Sequence, residues 1–387
     1  MLKLKTYLKG DLTIWVVLIL LSLASLLFVY GSISPLAFRY SGGNTLQYLL
    51  KQGFMLSVGM FMVYWVHNRN FKLFARFAEI LYWLSAALLL FTLLKGTNIN
   101  NANRWLTIPI INQNFQTSDL AKLSLIIYVA KYLSKHKEQL GDFNSGVLPV
   151  LLRIGLICGL ILPANFSTAA LLFAVSFMML FIGRIPIKHL LGVVALGIAA
   201  LALIVGIASL KPDLLPRATT WKNRILNHQS GDEKENFQVI QAKYAIASGG
   251  LFPNGPGKGN SRNYLPHPYS DMIYAFIVEE YGALLGGIGL IMAYLTLFSR
   301  SLRIAIRSES HFGTYLVVGL SVSLMLQALI NMMVAVNIIP VTGQPLPLLS
   351  MGGTSTIFTC IAFGMILCVG RANQLSAKKK GGSHVVA

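Results

Sequence analysis

Long apolar runs alternate with short polar stretches along almost the whole chain. The runs fall at roughly 12–31, 46–66, 76–95, 117–134, 147–163, 165–183, 188–209, 271–299, 313–336 and 351–370. Each approaches the ~20 residues a helix needs to cross a hydrocarbon core about 30 Å thick. The pattern predicts an all-α integral membrane protein of about ten transmembrane helices, in a single polytopic domain over residues 1–375. An even number of spans returns both termini to one side. One connection breaks the short-loop rule: residues 210–270, between the seventh and eighth runs, are long, polar and rich in Gly and Pro. Loops of that length are usually functional or disordered, and this one reads as ordered. Within it Phe237, Ile240, Tyr244 and Ala247 recur at helical spacing, which predicts an amphipathic helix on the membrane surface. The end, residues 376–387, reads as a disordered cytoplasmic tail whose Lys378, Lys379 and Lys380 suit anionic lipid.

Composition agrees: of 387 residues, 55% are hydrophobic and 12% charged, where a soluble domain carries about a quarter charged. The formal charge of +19 would suit nucleic acid if it were gathered on one surface. Instead it sits in clusters between apolar runs: Lys3, Lys5 and Lys9, then Arg69, Lys72 and Arg76, then Lys131, Lys135 and Lys137, then Arg184 and Lys188, then Arg300, Arg303 and Arg307, then Arg371. All of these share one side. The short loops of the other side hold little beyond Arg39 and Arg104, and residues 337–350 hold no Lys or Arg. Basic residues in short loops stay in the cytoplasm, so both termini are expected there, in a multi-pass protein of the cytoplasmic (inner) membrane with no nucleic-acid partner. The first run ends without a small-residue cleavage site and reads as a retained anchor. Cys158, Cys360 and Cys368 lie in apolar segments without metal-ligand spacing, and no disulfide is expected.

Candidate chemistry concentrates on the outer side. Gly255-Pro256-Gly257-Lys258-Gly259-Asn260-Ser261 is either a flexible turn or a loop whose N–H groups, beside Lys258 and Arg262, face phosphate oxygens. It does not fit the phosphate loop of nucleotide hydrolases, because Gly259 stands where Ser or Thr is required. Asp271 opens the eighth run, as a helix cap or as a general base at the water–lipid boundary. Glu279 and Glu280 follow about 12 Å deeper along the same helix, where acids are costly unless they line an internal cavity. Asp119 and Lys122 can pair at i, i+3, or Lys122 and Arg104 can present positive charge to an anionic head group. Arg153 is expected to snorkel to the cytoplasmic surface. Between the last two runs Asn331 precedes Pro340 to Ser355, whose prolines and glycines forbid continuous helix. Irregular backbone at the membrane must be buried in protein or line a cavity.

These stretches together resemble the shape, elongation, division and sporulation family of cell-wall glycan polymerases, the FtsW/RodA type. Asn103-Arg104-Trp105-Leu106 with Gln116-Thr117-Ser118-Asp119-Leu120-Ala121-Lys122-Leu123 resembles that family's NRW and QPSELAKL signatures. Thr117 replaces Pro and Asp119 replaces Glu. Gly249 to Gly282 resembles its Gly-rich block ending in an acid and Glu-Glu, with Asp271-Met272-Ile273-Tyr274 for DFIF; Pro340 to Ser355 resembles PxTGxPLPFxSxGGSS. Where the family commonly shows QPDxGTA, this chain has Leu162-Pro163-Ala164-Asn165-Phe166-Ser167-Thr168-Ala169, without the Gln and Asp. The resemblance implies a peptidoglycan glycosyltransferase that polymerises lipid II on the outer face, with 210–270 as the catalytic loop. It implies Asp271 as catalytic base and substrate contacts at Arg104, Lys122, Lys258, Asn260, Ser261, Arg262, Gln344 and Ser350. Asp119, Glu279 and Glu280 are left as cavity or structural acids. No organic cofactor is expected; a divalent cation, Mg or Mn, is compatible. The implied partners are lipid II, a class B penicillin-binding protein transpeptidase and other division or elongation membrane proteins. Gly259-Asn260-Ser261 with Tyr264-Leu265-Pro266 favours the septal, FtsW-like branch. The alternatives are RodA-type elongation, or a lipid II flippase, although no motif repeats between the halves.

Overall fold

The computed structural model describes residues 9–99, 102–108, 113–210, 233–265 and 268–383. Lys3 and Lys5, the loop positions 211–232, Pro266 and His267, and the tail 384–387 lie outside the described residues.

Helices occupy all ten predicted positions: α1 Leu12–Ser32, α3 Thr45–His67, α4 Lys72–Lys95, α5 Thr117–Lys135, α6 Leu148–Ile161, α7 Phe166–Ile182, α8 Ile187–Leu210, a compound eighth span, α12 His311–Ala335 and α13 Thr354–Ser383. Two shorter helices join them, α2 Ser34–Ser41 and α9 Glu233–Gly249, and the eighth span opens with α10 Ile273–Tyr281. Seven segments are long and apolar enough to cross a membrane on length and composition. In peripheral spans such as α3 and α4 only 33% of the apolar window is buried in protein, against 67% in α12 and 72% in α13. The last two spans therefore form the centre, and the others turn Leu and Phe outward to lipid. Helix α5 is also interior. Surrounded by protein on most sides, it tolerates Ser118, Asp119 and Ser124 in its buried face, which a lipid-facing helix would not.

The eighth span is broken. Helix α10 passes at Gly282–Ile288 into a π-helical segment and then into α11, Gly289–Ile306. The break is stitched from outside: the Ala283 N–H donates to the Gly250 carbonyl at 2.9 Å and the Leu284 N–H to Leu251 at 3.2 Å. Backbone groups freed by the irregular turn are thereby satisfied without water.

Three features differ from expectation. The connection after α4, read as a plain loop, is a three-stranded antiparallel sheet of β1 Thr97–Ile99, β2 Ala102–Ile108 and β3 Gln113–Gln116, with Trp105 paired to both Thr97 and Gln116. Helix α13 continues to Ser383, so 376–383 is helical where disorder was expected; Ala377 and the lysines favour helix and no proline stops it. Arg153 does not snorkel. It stands about halfway along the Phe143–Ile161 span, where its guanidinium lies 5.0 to 5.4 Å from the ring centres of Trp83, Tyr128 and Tyr82. Aromatic faces supply attraction that water would otherwise give.

Gly10, just before α1, and Gln374, on α13, meet at one pole. The Gly10 N–H donates to Gln374 Oε1 at 3.1 Å and Gln374 Nε2 donates back to the Gly10 carbonyl at 2.8 Å. Asp11, which caps α1, also faces Arg300 at 3.7 Å.

Candidate functional site

At the opposite pole the non-helical segment between α12 and α13 enters the bundle, and side chains from several helices take up its carbonyls. Gln327 Nε2 donates to Pro345 at 2.9 Å, Tyr294 Oη to Pro347 at 2.6 Å and Ser25 Oγ to Leu349 at 3.0 Å. Gln52 steadies Ser25 from α3 at 3.0 Å. Each bond replaces a water that the membrane interior withholds. So tightly fixed is the segment that Leu348 holds φ +67, a region few non-glycine residues enter.

Asp271 lies beside it, half-buried on a turn just before α10, and not in the helix itself. The turn is fastened at three successive carbonyls. The Met351 N–H donates to Tyr269 at 2.9 Å, Ser350 Oγ to Ser270 at 2.6 Å, and Asn331 Nδ2 to Asp271 at 2.8 Å. The carboxylate lies alongside Gly343, where a β-carbon would stand in ordinary van der Waals contact at 4.0 Å from Asp271 Oδ2, and Gly343 has φ +66.

Two residues expected to contact substrate have their polar atoms engaged within the protein. Ser350 is buried, its Oγ donating to Ser270 while accepting the Leu346 N–H at 2.7 Å. Gln344 is buried with Nε2 on Thr168 Oγ1 at 2.8 Å. Their polar atoms hold backbone and neighbouring helix.

The glycine-rich loop is likewise occupied from within. Glu279 Oε1 accepts the N–H groups of Asn260 at 2.9 Å and Ser261 at 3.0 Å, and the Ser261 hydroxyl donates to Oε2. Glu280 Oε1 accepts the Gly257 N–H at 2.8 Å. The N–H groups of Gly257, Asn260 and Ser261 are therefore bound to carboxylates; both oxygens of Glu279 are taken up by this loop, whereas Glu280 keeps its Oε2 buried without a hydrogen-bond partner among the described residues. Gly259 makes the approach feasible: a β-carbon there would stand 2.7 Å from Glu279 Oε2. Arg262 lies over Gly257 and acts electrostatically on Glu280, while Lys258 is exposed. Helix α9 forms as expected and buries Val239, Ala242 and Ala245; Phe237 and Tyr244 point outward.

Asp119 and Lys122 form the expected ion pair at 2.8 Å, both largely buried, with Lys122 Nζ 3.5 Å from Gln327 Oε1. They line a cleft of about 30 Å³ with Ser323, Ser355 and Thr359, room for a water or two. Arg104 Nε donates to the Ala164 carbonyl at 2.5 Å, at the turn between α6 and α7. In that stretch, where the family's Gln and Asp are absent, Asn165 caps α7 and Thr168 receives Gln344. Asn331, Gln327 and Thr168 are site residues that sequence reasoning did not assign; a polar side chain inside an apolar run was the available signal.

A helical membrane bundle with one carboxylate fixed between a glycine-rich loop and a proline-rich segment at a single pole defines a multi-pass protein with a polar site at one membrane face. The chain belongs to the cell cycle protein family FtsW/RodA/SpoVE, whose model matches residues 11–375. It is 30% identical over 363 residues to a probable peptidoglycan glycosyltransferase FtsW of Geobacter sp. (strain M18), covering 93% of this chain and 96% of that one. The fold is similar to RodA of Thermus thermophilus, with TM-score 0.68 and 24% identity over 95% of this chain and 98% of RodA. It is also similar to a chain from a structure described as coordination of polymerization and crosslinking by a peptidoglycan synthase complex, with TM-score 0.74 and 24% identity, covering 94% and 98%.

Proposed function

We propose that this chain is a peptidoglycan glycosyltransferase that polymerises lipid II on the outer face of the cytoplasmic membrane, in the septal, FtsW-like role. The observation that carries the reading is Asp271. It is the sole acid between Gly250 and Val278, and its turn is fixed at three carbonyls beside the proline-rich segment. A carboxylate held this way can take the proton from the 4-hydroxyl of the acceptor N-acetylglucosamine as that oxygen attacks the donor's anomeric carbon with inversion. Undecaprenyl pyrophosphate leaves, so no nucleotide is consumed. Exposed Lys258, at the outer surface, would meet the charge that grows on the leaving group.

The donor groups do not build a resident metal centre. Asp119 is paired with Lys122, Glu279 is saturated by the loop, and among the described residues no three His, Cys, Asp or Glu converge. A divalent cation would arrive with the substrate's pyrophosphate, the manner in which Mg²⁺ usually binds, and no step is drawn through it. A crosslinking partner, a class B penicillin-binding protein, would work on the same outer face.

Purified protein given lipid II in detergent tests the activity, because a polymerase lengthens glycan without a second compartment. A ladder of polymer is expected; intact lipid II after prolonged incubation with the partner present would contradict the reading and favour transport. Fluorescent fusion at midcell is expected for the septal role, and lateral-wall signal would reassign it to elongation.

A further inference from the structure

A carboxylate on a turn is only as well placed as the turn, and Asp271 has no helix of its own to hold it. The Asp271 carbonyl is gripped by one buried side chain, Asn331 of α12. The same Nδ2 donates to the Gln344 carbonyl, also at 2.8 Å. One nitrogen with two N–H groups thus joins two carbonyls from segments about 70 residues apart in the chain. The amide orientation follows from the partners, since turning it over would set Oδ1 against both carbonyl oxygens.

We infer that Asn331 is a positioning residue for the glycosyl-transfer step, fixing the Asp271 main chain to the Gln344 segment so that the carboxylate meets its proton at a set distance. The inference rests on Asp271 being the base. Asn is required for geometric reasons. Aspartate and leucine lack both donors, and glutamine, one methylene longer, cannot seat its nitrogen between the same two oxygens. Ser350 performs the neighbouring task at the Ser270 carbonyl and ties it to the Leu346 N–H. Asn331 thus anchors the turn at its catalytic end and Ser350 one residue earlier. Both act on the backbone of the turn, so their loss should displace the base and leave substrate contacts elsewhere in place.

The test is steady-state kinetics of Asn331→Ala and Ser350→Ala on lipid II, with Asp271→Asn in parallel and thermal unfolding midpoints for all. Displacing a reacting group by about 1 Å can cost 100-fold, so N331A is expected to lose kcat by about 100-fold and S350A by about tenfold. KM should stay within about twofold, because binding contacts that serve ground and transition states alike are untouched. A purely structural role predicts a lowered unfolding midpoint with kcat per folded molecule unchanged, and that result would overturn the inference. Should N331A fail to fold, S350A decides: wild-type kcat in S350A rejects positioning through the turn. An active D271N removes the base itself, and is distinguishable from an inactive D271N accompanied by fully active N331A and S350A, which removes only the positioning role.

Discussion

Glu279 spends both carboxylate oxygens on three donors of the loop that folds back over it. Removing it leaves the buried Ser261 N–H unsatisfied at about 1–3 kcal/mol and releases the part-buried Asn260 N–H. Glu279→Ala should therefore loosen residues 255–263, seen as faster amide exchange at Asn260 and Ser261; unchanged protection would show that the loop holds itself. Lys122→Met leaves Asp119 as a buried unpaired charge and is expected to cost about 3–5 kcal/mol. Asp119→Asn combined with it should recover most of that loss in a thermal-unfolding comparison. The Asp119–Lys122 pair was legible in the sequence because i, i+3 on a helix fixes a contact locally. The partners of Glu279 were not, since Asn260 and Ser261 reach it only through a chain reversal that spacing cannot encode. Nor could spacing tell that Gln344 turns inward to the Thr168 hydroxyl and Ser350 to the Ser270 carbonyl; as polar residues in a motif beside Asp271 they read equally well as substrate contacts.

The long apolar helices were legible because hydrophobic length alone specifies a span, and α1, α3 through α8 and α12 begin close to where their runs begin. Shorter elements escaped. Strands of three, seven and four residues give too few alternations to show a period. The π-helical break depends on carbonyls lent by Gly250 and Leu251, again a distant contact. The proline-rich segment was recognisable as non-helical, but its support was not, because four carbonyl acceptors are met by Asn331, Gln327, Tyr294 and Ser25 from three helices. Tyr294→Phe removes one such donor without changing shape. It should lower stability by about 1–2 kcal/mol in thermal unfolding; an unchanged midpoint would mean that the Pro347 carbonyl finds another donor.

At the scale of the molecule, Gly10 and Gln374 share one pole and Asp271 lies at the other. Basic residues gather at the first, so that pole is expected to face the cytoplasm. A cysteine at Asn337 should react with a membrane-impermeant maleimide in intact cells while one at Glu309 should not, and the reverse pattern would invert the topology. A polar site at the pole away from Gly10 and Gln374, beside buried irregular backbone, suits a substrate whose lipid tail stays in the membrane while its sugars and pyrophosphate are in water. The most direct measurement is glycan polymerisation by purified Asp271→Asn beside the unaltered protein, both supplied with lipid II at equal folded concentration. The substitution keeps shape and removes the base, so D271N should elute and melt like the parent and form no polymer; product at the parent's rate would contradict the assignment of Asp271.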